Sequence, residues 1–189
     1  ADRLIRGAFK LRKVAVMGVG MTRLDQHFDK GIKELYRDAV LKALEESGNP
    51  TVDHVYVSNA YADLVCDQAD LGSLLLDYCG AGCSPVTQIG GACGAGGAAF
   101  SEGFRAVSSG QSDVVLIAGV EKVSDVVTKE ATGISSLCED QEYEASNGLT
   151  IAGVNAMAAR SYMQKYSATR EQLALFAVQM HKNAVKNPY

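Results

Sequence analysis

Ser84-Pro-Val-Thr-Gln-Ile-Gly-Gly-Ala-Cys-Gly-Ala-Gly-Gly-Ala-Ala-Phe100 is the stretch on which the reading of this chain turns. Val86 to Ile89 reads as a short strand. Gly90 and Gly91 follow, and both let the backbone turn without Cβ clashes. Cys93 comes at once, and small residues then open a helix that runs to about Ser109. Glycine disfavours an exposed helix by about 1 kcal/mol per residue relative to alanine. Gly94, Gly96 and Gly97 therefore predict a helix start packed tightly on a neighbour. A thiol at such a helix N-terminus faces unpaired N–H groups and the positive end of the macrodipole, which favour the thiolate. The same N–H groups are placed to stabilise a carbonyl oxygen that gains negative charge. The competing reading makes Cys93 a small buried apolar residue. The strand-to-helix elbow favours the nucleophile.

The rest of the chain builds outward from this elbow. Lys13 to Gly18 reads as a strand buried on both faces. Gly18-Val-Gly20 resembles the start of a dinucleotide fingerprint, but lacks the third glycine, the acidic ribose partner and any P-loop ending. Gly31 to Ser47 is an amphipathic helix, with Ile32, Leu35, Tyr36, Ala39, Val40, Ala43 and Leu44 at helical spacing. Gly48-Asn-Pro50 stops it. Val52 to Asn59 is a strand, Ala69 to Tyr78 a helix and Val114 to Gly119 an apolar strand after the turn at Gly110–Asp113. This β, α, β, α, β, α, β order predicts an α/β fold with a mainly parallel sheet and helices on its faces. Ligands gather at the carboxyl ends of such strands. Cys93 lies just past one end and Glu121 past another, where the glutamate is expected to order the turn. Ser124 to Asn147 reads as a long polar loop region. Leu149 to Tyr166 contains a helix. Thr169-Arg-Glu-Gln172 matches a capping box that opens a last helix, Glu171 to about Asn187.

The chain has 189 residues, 47% hydrophobic and 21% charged, with a net charge of −4. Those values describe a soluble globular protein and give no basic footprint for nucleic acid. The longest apolar run, Val114 to Val120, is too short to span a bilayer. The first residues lack the apolar core of a signal peptide, so a cytoplasmic, non-membrane protein is expected. Five cysteines, an odd number, argue against a disulfide framework. Cys79-Gly-Ala-Gly-Cys83 lacks a second pair at zinc-site spacing, and His27, His54 and His181 are scattered. No metal site and no tightly bound cofactor is expected. Cys66, Cys79 and Cys83 read as core or interface residues, and Cys138 as a loop cysteine.

Several blocks resemble the N-terminal half of a thiolase, of the archaeal and sterol-carrier-protein type. Val16-Met-Gly-Val-Gly-Met-Thr-Arg23 resembles the family's first strand and loop, and Gly91-Ala-Cys-Gly-Ala-Gly-Gly-Ala-Ala-Phe100 its nucleophile elbow. Val107–Lys122 resembles the next helix end, strand and turn. Ala156–Tyr162, Thr169–Leu173 and His181–Pro188 resemble helices of its loop domain. The resemblance implies a layered αβα half with a mainly parallel mixed sheet in residues 1–122. Residues 123–189 would form part of an α-helical loop domain on the CoA and acyl-pocket side. Cys93 would take an acyl group from a CoA thioester, the substrate, and a 3-ketoacyl-CoA such as acetoacetyl-CoA would be made or cleaved. His181, Met157, Asn147 and Gly148 would border CoA or the acyl chain. Implied partners are acyl-CoA, a second copy in a homodimer or tetramer, and a zinc-ribbon and OB-fold scaffold protein of the kind some archaeal-type relatives have.

The departures are as informative. Thiolases have two similar halves, and the second supplies the activating histidine and a second cysteine. Its Gly-His-Pro and Cys-x-Gly motifs do not occur here. The resemblance therefore implies a complementary C-terminal half, in the same or a separate polypeptide. Two other readings share the fold: a ketoacyl synthase or aldolase-type enzyme, and a non-catalytic half-thiolase scaffold subunit.

Overall fold

The computed structural model describes residues 11–80 and 84–189. The signal-peptide expectation at the N-terminus and the role given to Cys83 fall outside them. Two compact units divide the chain. One takes the residues to Thr22 with Gln26–Asp125, the other Arg23–Asp25 with Val126–Tyr189.

The first unit is built on three parallel strands, β1 (His54–Ser58), β2 (Val86–Ile89) and β3 (Val115–Gly119), in the order β2-β1-β3. Val55 pairs with Val86 on one side and Leu116 on the other, so β1 is central. Side chains of successive strand residues leave on opposite faces, and β1 buries both. Val55 and Val57 are fully buried against Tyr36 and Val40 of α1 (Ile32–Glu46) and Leu71, Leu75 and Leu76 of α3 (Leu71–Cys79). Tyr56 packs on the opposite face with Ala99 and Ala106 of α4 (Ala95–Ser109). Each fully buried aliphatic side chain contributes about 1.5–3 kcal/mol, so these two clusters hold the layers together. A short α2 (Ala62–Val65), not foreseen from the sequence, leads from β1 towards α3.

The helix boundaries follow local chemistry. α1 ends where Gly48 and Asn49 take φ of 79° and 53°, and Pro50 then bars continuation. α4 ends at Gly110, φ 83°.

The expected first strand does not form. Residues 13–20 lie outside the sheet, with Val16 67%, Met17 56% and Val19 66% exposed. The apolar pattern is strand-competent, but a strand needs a neighbour's backbone, and among the described residues this segment has none in the sheet. Helix α1 holds it instead. A Cβ at Gly18 would overlap the Ala43 carbonyl, and one at Gly20 the Ala39 carbonyl. The Val19 N–H donates to Glu46 Oε2 at 2.7 Å, and Lys42 Nζ to the Met21 carbonyl at 2.9 Å. These two glycines thus serve close packing against a helix.

The second unit is helical. The stretch expected to be a loop contains α5 (Thr128–Ser135) and short 3₁₀ turns at Ser136–Cys138 and Ala145–Asn147. Hydroxyls of Thr132, Ser135 and Ser136 donate to carbonyls four residues back. The helix is therefore satisfied by polar side chains and shows little apolar periodicity. Thr150 caps α6 (Ile151–Tyr166) by accepting from Gly153 N at 3.1 Å. At α7 (Arg170–Ala184) the capping box forms. Gln172 N donates to Thr169 Oγ1 at 3.3 Å, and Thr169 N to Gln172 Oε1 at 2.9 Å. No described helix is long and apolar enough to cross a membrane.

Candidate active site

The carboxyl ends of the three strands converge on one rim of the first unit. Past β2, the chain turns at Gly91, φ 153°, and Ala92, φ 48°, into a 3₁₀ turn, Ala92–Gly94, that runs into α4. Cys93 sits in this turn as an exposed free thiol. The left-handed conformation falls on Gly91 and on an alanine, while Gly90 has no positive φ. A non-glycine residue in that region costs about 1–2 kcal/mol, so the elbow holds backbone strain at the residue before the thiol.

The tight burial expected of the glycines is not found. A Cβ at Gly94, Gly96 or Gly97 would meet nothing within 4 Å among the described residues. Close packing comes further along α4. Ala95, Ala99, Gly103 and Ala106 form its buried stripe, and a Cβ at Gly103 would lie 2.5 Å from Ile117 Cδ1. The stripe repeats at helical spacing and leaves the three earlier glycines on other faces. Within the elbow, Gly94 N donates to the Gly91 carbonyl at 2.9 Å, and Ala95 N to the Ala92 carbonyl. Those two N–H groups are engaged in holding the turn.

Past β1 and β3, the rim is stitched by Glu121, which the sequence singled out, and by Asn59 and Lys122, which it did not. Asn59 is buried. Its amide nitrogen donates to the Val120 carbonyl, and its oxygen accepts from Ala62 N at 2.5 Å. Glu121 accepts from Ala60 N and, at 3.3 Å, from Tyr61 N. It orders the turn, as expected. Desolvation of its carboxyl raises the pKa, against the hydrogen bonds that lower it. Lys122 is buried and pairs with Asp125. The only sequence signal for these roles is position, a polar residue directly after an apolar strand.

Cys66 and Cys79 are half-buried, whereas Cys93 and Cys138 are exposed. Burial pushes the Cys79 thiol up to about 11, and desolvation raises Cys66. His54 lies at the amino end of β1, the opposite end from Cys93. It is bonded to Thr87 Oγ1 at 2.8 Å and stacked on Tyr56.

The other four candidate residues belong to the second unit. Asn147 closes a 3₁₀ turn and donates from its amide to the Tyr143 carbonyl at 2.8 Å. Gly148, φ 78°, reverses the chain after it. Met157 is on α6, 61% exposed, and His181 is exposed in the last turn of α7.

Comparison with known proteins agrees with this geometry. The family model described as thiolase, N-terminal domain, matches residues 14–189. The chain is 40% identical to the acetyl-CoA acetyltransferase of Methanothermobacter thermautotrophicus over 180 residues, which cover 94% of this chain and 46% of that protein. It is 33% identical to the benzoylsuccinyl-CoA thiolase subunit BbsB of Thauera aromatica, with 94% and 45% covered. Among solved structures, the Ltp2-ChsH2(DUF35) aldolase superposes with a TM-score of 0.70 at 25% identity, covering 92% of this chain and 44% of that one. The chain spans about half the length of the curated relatives it matches. A parallel sheet whose second edge strand delivers an exposed cysteine to the head of a helix, together with a family match over nearly every residue, places this chain in the thiolase family.

Proposed function

We propose that this chain supplies the nucleophile-bearing half of a CoA-dependent acyltransferase, with Cys93 as the acyl acceptor. The observation that carries this reading is the exposed thiol on a strained elbow between β2 and α4, in a chain of the thiolase family. In the proposed step, Cys93 Sγ attacks the carbonyl carbon of an acyl-CoA thioester. The carbon–sulfur bond to CoA breaks, CoA leaves as its thiol, and the acyl group stays on Cys93. The α-carbon of a second CoA thioester gives up a proton to a base and attacks the acyl carbonyl. The bond to Cys93 Sγ breaks, the thiol is restored and a 3-ketoacyl-CoA forms, or the reverse sequence cleaves one. Nucleophilic cysteines act through an adjacent base, and His54 is at the wrong end of the sheet. We assign the base to a complementary half, whose existence is supported by relatives twice this length. Asn147, Gly148, Met157 and His181 are our candidates for contacts to CoA and the acyl chain, with the second unit as the loop domain.

The test is intact mass spectrometry of the chain, co-expressed with the remaining C-terminal part of the Methanothermobacter enzyme, before and after acetyl-CoA. One acetyl group mapped to Cys93 is expected, and Cys93→Ala should lower turnover by at least about 10³-fold. Full turnover in that variant refutes the reading. The likeness to an aldolase of this fold favours a second reading, carbon–carbon cleavage without an acyl-cysteine. It predicts activity that survives the Cys93 substitution.

A further inference from the structure

The candidate nucleophile stands past the end of an edge strand. In the described sheet β2 has one neighbour, β1, and their pairing stops where Ser58 meets Ile89. Beyond it, the bonds from Gly94 N to the Gly91 carbonyl and from Ala95 N to the Ala92 carbonyl join residues of the elbow to one another. Ala92 meanwhile holds φ 48°. Strain of that kind persists only where the surroundings over-determine it. Sideways, the sheet offers the elbow one support, the chain that leaves β1 at Asn59 to Tyr61.

Ser58 is level with Ile89 on one side and with Gly119 on the other. Equal steps onward bring Ala60 level with Gly91 and with Glu121, in one row at the head of the three strands. Val120 N still reaches the Ser58 carbonyl at 3.3 Å. Past that bond, side chains take over from the ladder. Glu121 Oε1 accepts from Ala60 N and, at 3.3 Å, from Tyr61 N. A single oxygen on the β3 side thus holds two successive N–H groups of the β1 exit. Bonds to an ionised acceptor are about twice as strong as neutral ones.

The amino ends of the same two strands carry the same device. Asp53 Oδ2 accepts from Asp113 N at 2.8 Å and from Val114 N at 2.9 Å. β1 and β3 are therefore tied at each end by one carboxylate oxygen on two successive N–H groups. The two clamps share their chemistry and differ in place, since Cys93 lies at the end that Glu121 holds.

We infer that Glu121 is the positioning residue for Cys93: by holding the exit of β1 from the β3 side, it fixes the support against which the β2 elbow presents its thiol. The inference rests on the acyltransferase reading above and adds a residue to it. Glu121 acts through the main chain of β1 and not on the acyl group. Its requirement is geometric, because a reacting group displaced by about 1 Å loses on the order of 10²-fold in rate. One oxygen makes both bonds, so glutamine in the same place keeps an acceptor for them.

The test follows acetylation of Cys93 by mass spectrometry over a range of acetyl-CoA concentrations, in the chain co-expressed with the C-terminal part of the Methanothermobacter enzyme. Glu121→Ala should slow acetylation at saturating acetyl-CoA by about ten- to hundredfold and leave the half-saturating concentration unchanged. Glu121→Gln should restore most of the rate. Asp53→Ala is the control. It removes the matching clamp from the far end of the sheet, and should lower the melting temperature while Cys93 is acetylated at the parental rate. Should the alanine variant at 121 fail to fold, Glu121→Asp gives the same reading, since it keeps the charge and draws the oxygen back by one methylene. Slow acetylation is expected there too. A parental rate in Glu121→Ala or Glu121→Asp overturns the inference, as does an equal loss in Asp53→Ala or no recovery in Glu121→Gln. No acetyl group on Cys93 of the parent overturns the acyltransferase reading and this inference with it. An acetylated parent with an unaffected Glu121→Ala overturns the inference alone.

Discussion

Gly90 and Gly91 stand side by side before Cys93, the proposed nucleophile, and replacing each with alanine should give opposite results. Gly91 has φ 153° and ψ 28°, a backbone region that side chains rarely adopt. A Cβ there would sit 3.5 Å from Ala95 N, an ordinary contact, so the penalty is conformational and not a clash. Holding a non-glycine residue in such a region costs about 1–3 kcal/mol. For a chain of this size, each kcal/mol moves the melting temperature by about 2–4 °C, so Gly91→Ala should lower it by about 2–12 °C. Gly90 has no positive φ and open space around its Cβ position. Gly90→Ala should fall within about 0.5 kcal/mol of the parent, or gain slightly from a stiffer unfolded chain. The functional readout follows the same split. A shift of about 1 Å at a reacting group costs on the order of 10²-fold, so acylation of Cys93 should slow ten- to hundredfold in Gly91→Ala only. Thermal denaturation and acylation rates of the two variants settle the matter. Equal effects, or a worse effect at Gly90, would refute the assignment of the elbow's left-handed turn.

Three further outcomes are expected. Gly103→Ala pushes a Cβ to 2.5 Å from Ile117 Cδ1 and 2.8 Å from Cγ1. Overpacking of about 1–3 kcal/mol, offset by about 1 kcal/mol of helix propensity, leaves a net loss. Ile117→Val should recover part of it, and urea denaturation of the double-mutant cycle measures that coupling. Asn59→Ala leaves Ala62 N and the Val120 carbonyl without their side-chain partner, and should cost about 1–3 kcal/mol by the same assay. Asp53 accepts from Asp113 N and Val114 N, with Val114 the larger cause, and these bonds hold its carboxyl below the usual range. A lowered folded-state pKa means that the unfolded chain binds the proton more tightly. The stabilisation is present above the usual carboxylate value of about 4 and is lost as pH falls through the folded value. The stability gap between the parent and Asp53→Asn should therefore close as pH is lowered, as followed by melting temperature.

Much of this structure was legible in the chain, for reasons that differ by element. Helices α1, α3, α4 and α7 carry apolar spacing or a cap that acts within a few residues, and they form where that chemistry predicts. α5 was missed because its hydroxyls bond to carbonyls four residues back and leave no apolar stripe to read. Residues 13–18 were misread because strand propensity is local but strand formation is not, since it depends on a partner backbone. The glycines show the same limit. Composition marks where the backbone is unusual, but only the fold distinguishes φ at Gly91, helix contact at Gly18 and Gly20, and sheet contact at Gly103. At the site, Cys93 was visible from its elbow, whereas Asn59 and Lys122 act through contacts made across the rim by the sheet order.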